Sequence, residues 1–183
     1  QGGHKFYVVT FPTESKTWVY DMTTQLWHER ESFGLTRWRA NCFAFAFGKN
    51  LVGDFETGKI YEIDLDTYTE DGTTIRRYGV TPHGFDKDNR IIYNYFQMDF
   101  ESGVGLNTGQ GSDPIVWISM SNDGGRSLGN QYQKKIGQVG KYQWRTILRR
   151  CGQARTKCFA FEFSDPVKFA MAGGYADVDL CDS

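Results

Sequence analysis

The sequence predicts an all-β protein built from short antiparallel strands. Three observations carry that expectation. Apolar and polar residues alternate with period two along much of the chain, aromatics make up 16% of it, and Gly numbers 21 against Pro 4. β-branched and aromatic side chains fit a pleated, half-buried surface, and glycines serve the tight turns between strands. The best helix candidate, 133–150, is interrupted by Gly137 and Gly140, each costing about 1 kcal/mol against Ala in a helix interior.

The elements follow in order. Lys5-Phe6-Tyr7-Val8-Val9-Thr10-Phe11 is a first strand, Thr17-Trp18-Val19-Tyr20 a second and Gln25-Leu26-Trp27-His28-Glu29-Arg30 a third. Asp21-Met22-Thr23-Thr24 forms the turn between the last two, with Asp at its head. Leu51-Val52-Gly53-Asp54-Phe55 and Lys59-Ile60-Tyr61-Glu62-Ile63-Asp64 flank a second hairpin turn at Glu56-Thr57-Gly58. Later strands are expected at 73–80, 91–100, 114–120, 141–148, 156–163 and 166–171. Two of the runs echo each other: Asn41-Cys42-Phe43-Ala44-Phe45-Ala46-Phe47 and Lys157-Cys158-Phe159-Ala160-Phe161-Glu162-Phe163. In extended chain each run puts its Phe residues on one face. The small second face of 41–47 suits a strand packed on both sides, whereas Glu162 brings the other strand to water at one end.

The hairpins have a blade-like spacing. Tyr20-Asp21-x-x-Thr24-x-x-Trp27 behind Gly2-Gly3 resembles a kelch blade, and Val52-Gly53-Asp54…Thr57-Gly58-Lys59-Ile60-Tyr61 is a propeller-type hairpin about one blade later. A kelch-sized blade takes about 50 residues and a propeller needs about four blades. At 183 residues the expectation is therefore a partial or open β-propeller. Kelch-like blades are expected over 1–103. A C-terminal β region with an Asp-box-like turn is expected over 104–183, packed as one unit with the first. Gln1-Gly2-Gly3 reads as the interior of a longer chain, with no basic and apolar leader after it.

Composition excludes several classes. Charged residues at 23% beside hydrophobic ones at 39% exclude bulk disorder. No apolar run approaches the roughly 20 residues that span a bilayer, so no membrane partner is expected. Lys+Arg 21 against Asp+Glu 22 leaves a net charge of −1, which is not the balance of a polycation made for nucleic acid. Cys42, Cys151, Cys158 and Cys181 form no C-x-x-C, and the three His at 4, 28 and 83 give no zinc spacing. Cys42 and Cys158 lie in apolar runs and read as buried free thiols. No metal and no cofactor are expected.

Catalytic motifs are sparse. Ser121-Asn122-Asp123-Gly124-Gly125-Arg126-Ser127-Leu128 resembles the Asp-box of sialidases and other propellers, with Leu128 where Trp is usual. There the Asp accepts backbone N–H bonds and Gly supplies positive φ, so the box is read as a folding device. Glycoside hydrolysis needs two carboxylates about 5 to 9.5 Å apart. Asp54, Glu56, Glu62, Asp64 and Asp66 are the candidates, though alternating strand acids more often form a solvated face. Asp64-x-Asp66 with Glu70-Asp71-Gly72 is faintly calcium-like but lacks the order of a twelve-residue loop. No nucleophile elbow, P-loop or His-Glu-x-x-His occurs. No catalytic residue is assigned.

Charge is unevenly placed. Residues 51–101 hold eleven acids and five bases, net −6, while 121–160 hold nine bases and one acid, net +8. The candidate electrostatic interface is Lys134, Lys135, Lys141, Arg145, Arg149, Arg150, Arg155 and Lys157. A strand over 141–149 would put Lys141, Arg145 and Arg149 on one face, able to meet an acidic protein surface or to track phosphates. The competing reading is a charged, solvated edge strand.

The ordered run of motifs resembles a known family. Gly3-His4-Lys5-Phe6-Tyr7, Thr17-Trp18-Val19-Tyr20-Asp21, Leu26-Trp27-His28-Glu29-Arg30 and Trp38-Arg39-Ala40-Asn41-Cys42 carry it in the first half. Ser119-Met120-Ser121-Asn122-Asp123-Gly124-Gly125-Arg126, Trp144-Arg145, Arg149-Arg150-Cys151-Gly152-Gln153-Ala154-Arg155 and Ser164-Asp165-Pro166-Val167-Lys168 carry it in the second. Together they resemble the packaged-DNA stabilisation (tail-hub, head-completion) proteins of short-tailed phages, with 81–113 weakest. The resemblance implies a non-enzymatic structural virion protein, assembled in the host cytoplasm, that closes the DNA-filled head. Implied partners are the portal and its adaptor, the tail needle and the tailspikes, in a homo-oligomeric ring with possible non-specific DNA contact. Family members are longer than this chain and β-propeller-like. The readings from other classes are a sialidase-like carbohydrate-active propeller enzyme and a kelch-like interaction module.

A titration under denaturing, non-reducing conditions is expected to return all four thiols of the chain. A return of none contradicts the free-thiol reading.

Overall fold

The computed structural model describes residues 3–87 and 89–181. Gln1 and Gly2, and with them half of the expected double glycine, lie outside the described residues, as does Asp88. Every sheet is antiparallel and open, and no helix occurs among the described residues. The chain divides into two units, Gln1–Ile75 and Arg76–Ser183. The sequence boundary was expected after residue 103; the strands over 77–100 pair with later ones, and the division falls before them.

The first unit holds two three-stranded meanders and a short hairpin. β1 (Phe6–Phe11), β2 (Lys16–Asp21) and β3 (Leu26–Glu29) form one sheet in that order. β4 (Ala40–Ala46), β5 (Lys49–Asp54) and β6 (Ile60–Glu62) form the second. β7 (Thr69–Glu70) pairs with β8 (Thr73–Thr74). Thr17 and Val19 of the first sheet and Ala40 and Val52 of the second are buried, and Tyr20 packs on Trp27 with ring centroids 5.0 Å apart.

In this unit the Phe-rich run departs from expectation. β4 is an edge strand, and Phe43, Phe45 and Phe47 are 62%, 67% and 95% exposed. Cys42 is exposed as well. A three-stranded sheet leaves its first strand with one neighbour, so alternation alone does not bury it.

The second unit is a β-sandwich. One sheet has the order β14 (Thr146–Ala154), β11 (Ile91–Phe100), β16 (Met171–Leu180). The other has the order β10 (Gly84–Phe85), β15 (Thr156–Phe163), β12 (Ile115–Ser121), β13 (Tyr132–Lys135), with β9 (Arg77–Val80) also on β15. β14 and β15 lie in different sheets, so the chain crosses the sandwich at Arg155. The expected strand at 166–171 is instead irregular up to Met171, where β16 begins.

The two sheets meet through apolar side chains of alternate positions. β11 contributes Ile91, Tyr93, Phe96 and Met98, β14 contributes Leu148 and Cys151, and β12 and β15 face them with Val116, Ile118, Phe159 and Phe163. Phe96 stacks on Phe159 at 4.0 Å between centroids with planes 7° apart. Phe169 stacks on Phe163 at 4.5 Å and closes the layer against Phe100. The Phe161 ring lies across Gly79, its partner in the β9 register, where a Cβ would come within 2.4 Å of the ring. At the other end Cys158 and Ala160, on the opposite face of β15, are also buried. β15 is thus packed on both faces, and Glu162 meets Arg76 at its end.

Phe163 is fully buried and Phe45 is 67% exposed. Phe163→Ala is therefore expected to cost about 3–5 kcal/mol in denaturant unfolding. Phe45→Ala should stay within about 0.5 kcal/mol of the parent. Equal effects contradict the assignment of the core.

Candidate electrostatic interface

The basic residues of the second unit do not form one strand-borne stripe. The strand begins at Thr146, and 141–145 is a loop. Gly137 has φ of +104° and lies so close under Trp144 that a Cβ would come 2.9 Å from Trp144 Cβ. Trp144 Nε1 and the Thr146 hydroxyl both donate to the Lys135 carbonyl, at 2.8 and 3.0 Å. These bonds fold the loop back on the end of β13 and remove the alternation on which a shared face for Lys141, Arg145 and Arg149 depended.

Each candidate has its own setting. Lys134 is half-buried on β13, and Lys135 pairs with Asp113 at 2.5 Å. Lys141 sits 5.4 Å from the Trp144 ring centroid, in a shallow cavity whose lining includes Tyr142 and Gln143. Arg145 is exposed at the loop's end. Arg149 and Arg150 are exposed on β14, with the Arg149 guanidinium 6.0 Å from the Tyr95 ring centroid and Arg150 at φ of +58° in the bulged stretch opposite Tyr93 and Tyr95. Arg155 is exposed at the bend between the sheets.

Lys157 is not on the surface. It is 2% exposed, and its amine donates to Asn122 Oδ1 and lies 5.4 Å from the Tyr93 ring centroid. Burial pushes its pKa down, with Cys151 and Cys158 acting in the opposite sense. It shares parity with Phe159, Phe161 and Phe163, so the period of the strand itself turns it inward.

The Asp-box is a closed turn. Ser121 Oγ donates to Asp123 Oδ1 and accepts from Gly125 N at 2.9 Å, and the Ser127 N–H and hydroxyl donate to the two Asp123 oxygens. Gly124 and Gly125 both take positive φ, 77° and 84°. These bonds to Ser121 and Ser127 hold the Asp123 carboxyl well below its usual range. Lys157 ties this turn to β15 through Asn122.

The first unit uses a related device twice. Asp21 accepts from Thr23 N at 2.9 Å and Thr24 Oγ1 at 3.0 Å, and Asp54 from Glu56 N at 2.7 Å and Thr57 Oγ1 at 2.6 Å. Gln25 and Gly58, the residues after each Thr, both have positive φ. Three of the five candidate hydrolytic acids are occupied: Asp54 by its turn and by Arg39 at 2.9 Å, Glu62 by Lys49, and Asp64 by Thr67. Asp71 of the calcium-like run pairs with Lys59, and Glu70 accepts from Ser32.

Charge satisfaction is asymmetric. In 51–101, Asp54, Glu62, Asp71 and Glu101 all have cationic partners. Among the described residues Arg145, Arg149, Arg150 and Arg155 form no ion pair with an acid of the chain. Two acids that the sequence reading passed over, Asp177 and Asp179, stand on β16 without an ion pair, Asp179 accepting from Asn94 at 2.8 Å. Their alternate spacing was the available signal.

Burial works against the charged form of Asp21, but the bonds from Thr23, His4 and Thr24 outweigh it and hold the carboxyl at about 2. An unfolded Asp titrates near 3.9. The folded state therefore binds fewer protons, and the stabilisation is full above about pH 4 and lost as pH falls towards about 2. Urea midpoints should drop more steeply over that window for the parent than for Asp21→Asn. Parallel curves contradict the role given to the turn.

A comparison with curated proteins gives no match. Residues 76–179 match the family described as bacteriophage P22 Gp10, beta-sandwich. They begin where the second unit begins and take in both sheets of the sandwich. With more than half of its length in the match, the chain belongs to the bacteriophage P22 Gp10 beta-sandwich family and is a phage structural protein.

Proposed function

We propose that this protein is a non-enzymatic component of the tail hub or neck of a short-tailed phage, closing the DNA-filled head and linking the portal to the tail needle and tailspikes. The family match over the sandwich carries the reading. The two meanders of the first unit, each turning on an Asp-x-x-Thr device, support its blade-like part. Asp54, Glu62 and Asp64, three of the candidate acids, are engaged in turns and ion pairs, which favours an assembly role.

In this reading the chain forms a homo-oligomeric ring, and its sandwich presents an interface of Arg145, Arg149, Arg150 and Arg155, joined by Lys134, Lys135 and Lys141. Lys157 belongs to the packing beneath. Exposed arginines without an ion pair inside the chain leave their charge available to an acidic surface. An acidic protein neighbour is preferred over DNA, because a hub subunit meets many protein surfaces while only part of it lines the DNA path.

The triple change Arg145→Ala, Arg149→Ala, Arg150→Ala tests this. Particles carrying it should fail to join head to tail, while the folded protein's weak DNA binding keeps its salt dependence. If the arginines serve phosphates instead, the salt slope of duplex binding should flatten by up to about 2.7 units, at about 0.9 per contact. Normal particles and an unchanged slope contradict the interface.

A further inference from the structure

β16 is the outer strand of its sheet. Met171–Leu180 runs for ten residues, pairs only with β11, and is exposed or half-exposed along its whole length. It contains no Pro and no Lys, and the charges on this edge are Asp177 and Asp179 near its C-terminal end. Gly173, Gly174 and Ala176 leave much of it bare of bulk, while Tyr175, Val178 and Leu180 stand 42–60% exposed. A row of unpaired backbone donors and acceptors of this length is a template for another strand.

The opposite edge of the same sheet is β14, and the two edges differ in charge. Arg149 and Arg150 stand exposed on β14, and Asp177 and Asp179 on β16. Arg149 and Asp177 lie in one row, both registered on Tyr95 of β11. Side chains directly opposite one another across paired strands belong to one face of a sheet. A β14 edge brought alongside β16 can therefore set Arg149 beside Asp177.

We infer that β16 docks the β14 edge of a second copy of this chain, continuing the sheet head-to-tail from copy to copy. Because β14 and β16 both run antiparallel to β11, a head-to-tail repeat that keeps strand direction makes the new pair parallel. A heterologous contact of this kind closes into a ring when its rotation permits. The inference rests on the ring reading above and names the surface that builds it. The partner of the basic edge is then β16 of the neighbour, and the 51–101 acids serve inside the chain.

The test is charge exchange between the edges, read by sedimentation of the full chain. Asp177→Arg with Asp179→Arg, and separately Arg149→Asp with Arg150→Asp, should each raise the apparent Kd for self-association about tenfold, as opposite pairs become like pairs. An equimolar mixture of the two variants should restore association, because each mixed contact again joins opposite charges. In the unaltered chain, hydrogen exchange of the β16 amides should slow as concentration rises, a readout that needs no variant. Oligomers that ignore both variants and leave β16 exchange unchanged overturn the inference and leave the ring reading standing. Protection of β16 that arises only when portal or tail proteins are added assigns the edge to a different partner and also overturns it. A chain that stays monomeric at every concentration overturns the ring reading and the inference together.

Discussion

The stack of Phe96 on Phe159, 4.0 Å apart across the sandwich, is the contact on which the second unit depends. It joins β11, the middle of one sheet, to β15, which pairs with β12 on one side and with β9 and β10 on the other. The row that begins with buried Lys157 continues through Phe159, Phe161 and Phe163 on the same face. The Asp-box turn reaches both faces: Gly125 approaches Cys158 on the opposite one, and Asn122 accepts the Lys157 amine on this one. The turn is thereby fastened to the core, so a motif associated with enzymes serves here to hold a loop on a strand.

Two nearly identical Phe runs meet opposite fates, and this marks what was legible in the sequence. Period two correctly made both of them strands. It also put the Phe residues of each on one face. Whether that face is covered depends on how many strands the sheet has and what lies over it, and neither is written in seven residues. β15 gains three strand partners and a facing sheet, whereas β4 has β5 alone. The same gap explains β16. The expectation stopped at residue 171, yet β16 registers along β11 from Met171 to Leu180, with irregularities at Tyr93/Tyr95 and Asp99/Phe100 that absorb the local misfit.

Charge was legible in amount and less so in placement. The excess of arginine after residue 121 is real, and among the described residues Arg145, Arg149, Arg150 and Arg155 form no ion pair with an acid of the chain. In the acidic block, by contrast, Asp54, Glu62, Glu70, Asp71 and Glu101 are paired with Arg39, Lys49, Lys59 and Lys168. Parity within the strand already placed Lys157 with the core phenylalanines, and composition counted it with the surface. The loop at 141–145 broke the expected stripe because Trp144 packs over Gly137, a long-range fit that no local alternation reports.

A phage structural protein with one acidic and one basic sheet edge, and with Asp21, Asp54 and Asp123 committed to turns, is suited to assembly. The most direct test of that account is imaging of purified particles of the encoding phage. It predicts density for this chain as a ring between portal and tail, with the sandwich units in edge-to-edge contact. Complete, infectious particles that lack the chain would contradict it.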